Sequence, residues 1–180
     1  MSAHGGILLV CTANRARSPM AQLMLESRLG TNGSGVVVRS AGTRAHADEP
    51  VTRQALQVLD SRGIDAAGFR SQPLTADLVG WADLVLCAER AHRADVVRFL
   101  PRAHRKTFTL AQATRLLAAT DGTEPTVASL TSRLAAARGI VPQSPDDDIA
   151  DPAGGTLADY ERAAERISSA VLAISSALTR

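Results

Sequence analysis

The apolar run Ile7-Leu8-Leu9-Val10 leads straight into Cys11, and after five further residues the chain reads Arg17-Ser18-Pro19. A short, continuously apolar run suits a strand buried on both faces of a parallel sheet. Ser18 followed by Pro19 suits a helix start, with Ser18 at the N-cap and Pro19 in the first turn. Residues 12–16 must therefore carry the chain from the carboxyl end of a strand into a helix, the beginning of a parallel crossover. A thiol at that turn faces loop N–H groups and the positive end of the following helix, both of which stabilise a thiolate. Arg17, at the end of the loop, presents a planar fork able to hold two oxygens of a tetrahedral oxyanion. Cys11 and Arg17 together read as a nucleophile and its anion clamp.

The rest of the chain keeps the same rhythm. Apolar runs at Ile7–Val10, Val36–Arg39, Leu84–Cys87 and Lys106–Leu110 alternate with helical patterns. That order predicts an α/β fold: one three-layer domain over residues 1–180, with a four-stranded parallel sheet flanked by helices. Helices are expected from Ser18, over Val51–Ser61 stopped by Gly63, and over Arg90–Leu100 ended by Pro101. Leu157, Tyr160, Ala164, Ile167, Val171, Ile174 and Leu178 recur every three or four residues, with Thr156 and Asp159 as a capping pair, and predict a long helix packed on the sheet. Residues 111–148 form an extra helical segment before Asp151. One helix is expected over Ala111–Ala119 and another from Thr123-Glu124-Pro125, with Val127, Leu130, Leu134 and Ala137 on its apolar face and Gly139 as its stop. Two placements remain open for that second helix: a lid over the pocket, or a peripheral position. Ligands of such sheets bind beyond the carboxyl ends of the strands, where Cys11 lies.

The spacing Cys-x5-Arg-Ser directly after the first strand resembles the loop of the low-molecular-weight protein tyrosine phosphatase family. Two further segments carry the resemblance: Arg39-Ser40-Ala41-Gly42-Thr43, like the family's second strand and turn, and Asp151-Pro152, like its acid loop. The resemblance implies a cysteine-dependent phosphomonoester hydrolase, foremost a protein tyrosine phosphatase acting through a phosphocysteine on Cys11. Arg17 would bind the phosphate and Asp151 would serve as general acid and then base. Thr12, Ala13, Arg15 and Ala16 would contribute mainly backbone donors. Asn14 would take the left-handed conformation of a tight loop, and Ser18 would donate to the thiolate. Phe69 stands where some members place a histidine that supports the loop serine, so Ser40 or Ser71 is expected to supply that support. Asp146, Asp147 and Asp148, with the substrate dianion, are the expected sources of negative charge that help Asp151 hold its proton.

The chain departs from the family at the pocket walls. Arg44, Ala45 and His46, then Ala153, Gly154 and Gly155, occupy places where many members have aromatic residues. Walls would have to come from Phe69, Trp81, Tyr160 or the extra segment. Ala16 replaces the second loop cysteine of animal relatives. The alternatives are a thiol-dependent arsenate reductase that borrows a small-molecule thiol, since an internal relay needs two further cysteines and the chain offers only Cys87, and an inactive phosphate- or phosphoprotein-binding module.

Expected partners are a phosphotyrosine protein or small aryl phosphate as substrate and inorganic phosphate as product. No cofactor or metal is expected, because loop N–H groups and Arg17 carry the oxyanion. His4, His46, His92 and His104 are dispersed and expected at the surface. Nucleic acid is not expected: 20 basic residues are scattered among 18 acidic ones, and aromatics make up only 3%, leaving little on which bases could stack. Nor is a membrane, since the first apolar run is too short for a signal or a span. A cytoplasmic location would keep Cys11 reduced. Composition is silent on oligomeric state.

Overall fold

A computed structural model describes residues 5–30 and 35–178. His4 lies outside the described residues. Four parallel strands, β1 (Gly6–Cys11), β2 (Val37–Gly42), β3 (Leu84–Cys87) and β4 (Thr107–Thr109), form a sheet in the order β2-β1-β3-β4. Val10 sits beside Ala41 and Cys87, and Cys11 beside Gly42, so β1 ends next to the ends of both its neighbours. Helices cover both faces, giving the expected three-layer α/β architecture.

Side-chain alternation along the strands assigns the faces. Ile7, Leu9, Val38, Leu84, Leu86 and Phe108 face the larger core, closed by α1 (Arg17–Gly30), α2 (Arg53–Asp60), α5 (Leu110–Ala118), α6 (Val127–Arg138) and α7 (Leu157–Leu178). Leu8, Val10, Ala41, Val85 and Cys87 face a smaller core under α3 (Ala76–Trp81) and α4 (Arg90–Phe99). The long C-terminal helix lies where its apolar period put it, and Thr156 is tied to Asp159 at 2.7 Å through both its N–H and its hydroxyl. α3 was not anticipated: its six residues are too few to show a helical period, and Thr75 caps it. The fourth strand is shorter than the apolar run implied. A 3-10 turn takes Pro101–Lys106, and Thr109 accepts a hydrogen bond from the Gln112 N–H, so Leu110 already belongs to α5.

The extra segment does form two helices. The second begins at Val127 behind the N-cap Thr126, and its stripe Val127, Leu130, Leu134 and Ala137 is buried in the larger core. It packs at the amino ends of the strands: Val127 lies against Gly5, and the Thr131 hydroxyl donates to the Asp83 carbonyl at 3.1 Å. Cys11 is at the opposite end of β1, which corrects the lid placement; this helix buries its stripe against the sheet and not against the pocket. Leu130→Ala should therefore lower unfolding free energy by about 2–5 kcal/mol in urea titration, with turnover of an aryl phosphate within about twofold of wild type where the variant is folded. A large rise in KM without loss of stability would restore the lid.

Candidate active site

Cys11, at the carboxyl end of β1, is buried, and its Sγ lies 2.9 Å from the Ser18 hydroxyl. That contact follows from where α1 starts. Its first residue is Arg17 and the Ala16 carbonyl accepts from the Met20 N–H, so Ser18 is inside the first turn and not the N-cap expected of it. Freed from capping, its hydroxyl faces the thiol.

Asn14 holds the loop. It has a positive φ of 54°, is wholly buried, and donates through Nδ2 to Ser18 at 2.9 Å and to Ser40 at 2.8 Å. Its Oδ1 accepts from the Gln72 N–H, while Ser40 passes its own hydrogen to Gln22 Oε1 at 2.6 Å. Ser40 thus supports the loop serine through Asn14. Ser71 does not: its hydroxyl donates to the His46 carbonyl and accepts from the Glu49 N–H. The Thr43 and Arg44 N–H groups donate to the carbonyls of Cys11 and Thr12, and a Cβ at Gly42 would stand 2.5 Å from the Thr12 carbonyl, so only glycine permits this approach.

Arg17 is only 1% exposed. A buried guanidinium needs compensating charge, and two carboxylates provide it: Glu89 at 2.5 Å and Asp151 at 2.7 Å. Its NH1 also donates to the Ile149 carbonyl at 2.9 Å. Arg17 therefore joins the Cys11 loop, the end of β3 and the Asp-Pro loop. Neither Glu89 nor His92 was singled out from the sequence. The position of Glu89, just past the carboxyl end of a strand, was the signal available for it. His92 gave none, and the surface position expected for it is wrong. It is buried, its Nε2 is 2.8 Å from the Thr12 hydroxyl, and the Glu89 N–H donates to its Nδ1. Burial foremost, then the Arg17 charge, lowers the His92 pKa.

The Asp-Pro loop is pinned from several sides. The Ile149 N–H donates to the Ala88 carbonyl, and Arg166 donates to the carbonyls of Asp148 and Asp146. Two of the three carboxylates of the acidic run, expected as unbalanced charge beside Asp151, are neutralised by partners of their own. Asp148 pairs with Arg90 at 2.7 Å, whose hydrogen bonds hold that carboxyl below the usual range, and buried Asp147 pairs with Arg115 at 2.8 Å. Asp151 itself is 42% exposed.

Two of the three aromatic residues expected as walls are committed to other places. Tyr160 is in the larger core, Trp81 lies beneath Arg39 and against Gly6 at the amino end of β1, and Phe69 packs beside the larger core. From the loop itself, Arg15 reaches Glu49 at 3.4 Å and the Pro50 carbonyl at 3.0 Å.

Cys87 lies in register with Val10 and faces the smaller core, whereas Cys11 has the alternation of Ile7 and Leu9. Burial pushes the Cys87 thiol far above the usual range. Peroxide treatment should therefore carry Cys11 through sulfenic acid to over-oxidised forms, with no Cys11–Cys87 disulfide in mass spectra of intact protein. Detecting that disulfide would revive a redox reading.

The sequence model of the low molecular weight phosphotyrosine protein phosphatase family matches residues 6–126. A protein-arginine-phosphatase of Geobacillus stearothermophilus is 33% identical over 161 residues, 89% of this chain and 87% of its own length. The low molecular weight protein-tyrosine-phosphatase Etp of Escherichia coli K12 is 35% identical over 106 residues, 59% of this chain and 69% of its own. Among solved structures, a YwlE arginine phosphatase variant with serine in place of a cysteine and a phosphorylated active-site serine superposes with a TM-score of 0.74 at 27% identity, covering 96% of this chain and 95% of the other.

Proposed function

The chain belongs to the low molecular weight phosphotyrosine protein phosphatase family and is a cysteine-dependent phosphatase, and on that premise we propose that Cys11, Arg17 and Asp151 carry its reaction. The observation behind this assignment is one connected site: a buried thiol 2.9 Å from the Ser18 hydroxyl, with a buried guanidinium bridging its loop to Asp151 at 2.7 Å. Cys11 attacks phosphorus in line as Asp151 protonates the leaving oxygen, giving a phosphocysteine and the free alcohol. Asp151 then takes a proton from water, whose oxygen displaces Cys11 and releases inorganic phosphate. Ser18 donates to the leaving thiolate. Backbone donors of Thr12, Ala13, Asn14, Arg15 and Ala16, with Arg17, hold the oxyanion, and Asn14 and Ser40 keep the loop in shape. That a relative with serine in place of a cysteine carries phosphate on it supports the covalent step.

The substrate proposed is a phosphotyrosine protein, with small aryl phosphates as surrogates. Residues 1–180 act as one phosphatase unit in the cytoplasm of a bacterium. Among the described residues no helix is long and apolar enough to cross a membrane. A second reading, phosphoarginine protein, is favoured by the burial of Tyr160 in the core, by the position of Trp81 at the amino end of β1, and by the relative that spans most of the chain. Paired peptides carrying phosphotyrosine or phosphoarginine, offered in competition with chelator present, decide between them. Hydrolysis of neither, nor of an aryl phosphate, would overturn the assignment.

A further inference from the structure

Thr12 follows the nucleophile directly, and its side chain is bound from the protein side by two donors. The Glu89 N–H donates to His92 Nδ1 at 3.2 Å, so the neutral ring carries its hydrogen on Nε2 and donates it to Thr12 Oγ1 at 2.8 Å. Arg17 NH2 makes a longer bond to the same oxygen, at 3.4 Å. Burial and the nearby Arg17 charge both favour the neutral ring. A hydroxyl oxygen accepts two hydrogen bonds, and here both places are taken, so Thr12 acts toward any third partner as a donor. His92 is itself held by the turn that starts α4, where its ring and the Glu89 side chain cap each other's backbone.

We propose that the Thr12 hydroxyl is an additional donor to the oxyanion bound in the Cys11 loop, and that His92 is the positioning residue that keeps it a donor. This rests on the active-site reading above and adds a second side-chain donor, beside Arg17, to a loop built mainly from backbone N–H groups. His92 does not touch the anion; it acts through Thr12. The arrangement also links the anion to Glu89, which joins the His92 turn to Arg17.

The test is a double-mutant cycle on the full chain, using Thr12→Val, His92→Leu and the pair. It reads kcat/KM for p-nitrophenyl phosphate and the inhibition constant of sulfate, which stays a dianion across the working range. Each single variant should lose about tenfold in both, and the pair should lose no more than either alone, because both remove one donor. Thr12→Ser and His92→Gln, which keep a hydroxyl and a neutral donor, should recover most of the loss. A pair whose losses multiply to about a hundredfold overturns the proposal, as does Thr12→Val with a wild-type sulfate constant. If His92→Leu does not fold, the sulfate constant of Thr12→Val decides alone. A wild-type chain that binds no sulfate would overturn the anion site itself, an outcome distinct from equal binding by wild type and Thr12→Val.

Discussion

Replacing Cys11 by serine is expected to reduce turnover by about 10⁴-fold or more while leaving inorganic phosphate and vanadate binding near wild type. The two halves of that result come from different parts of the site. Turnover needs a thiolate, which serine cannot supply at neutral pH. Binding needs the loop N–H groups and Arg17, whose positions depend on Asn14, Ser40, Glu89 and Gly42 and not on the sulfur. Hydrolysis and oxyanion binding should be measured on one preparation. Turnover near the wild-type rate would remove Cys11 as the nucleophile, and loss of both activities would point to a collapsed loop.

The second large effect belongs to Asp151. Asp151→Asn keeps the side-chain shape but removes the proton donor. Phosphate esters of poorly leaving alcohols should slow by about 10²–10³-fold, and p-nitrophenyl phosphate by less than about tenfold, since only the former need protonation in the transition state. Asp151 sits on a loop anchored through Ile149, Asp147 and Asp148 to three other parts of the molecule, so the substitution should leave the loop in place. Equal losses with both classes of ester would assign Asp151 to holding Arg17 at 2.7 Å and not to proton transfer.

Cys11, Arg17 and the Asp-Pro pair could be proposed from the sequence because the signals for them are local. A thiol at a strand end, a guanidinium five residues beyond the loop's start and an Asp before Pro need no knowledge of what lies across the molecule. The strand rhythm and the stripe of α7 were legible for a related reason: burial on both faces makes a central strand a short apolar run, and burial of one face gives a helix a 3.6-residue period. Other features depended on partners far along the chain. Asp146 to Asp148 read as a patch of free charge, and only Arg90 and Arg115, brought in by other elements, showed that Asp148 and Asp147 are paired. His92 read as a surface residue until the turn at Glu89 turned it onto Thr12.

An apolar stripe states that a helix must be buried but not against which surface, so the position of α6 at the end of the sheet remote from Cys11 could come only from packing. The sequence by itself determined the alternation of strands and longer helices and which reactive groups to propose, because periodicity and reactive groups are properties of short stretches of chain. Tertiary structure decided which charges are neutralised, which side chains hold the reagents and which surfaces border the site, because each of these depends on distances between residues that the chain separates and folding brings together.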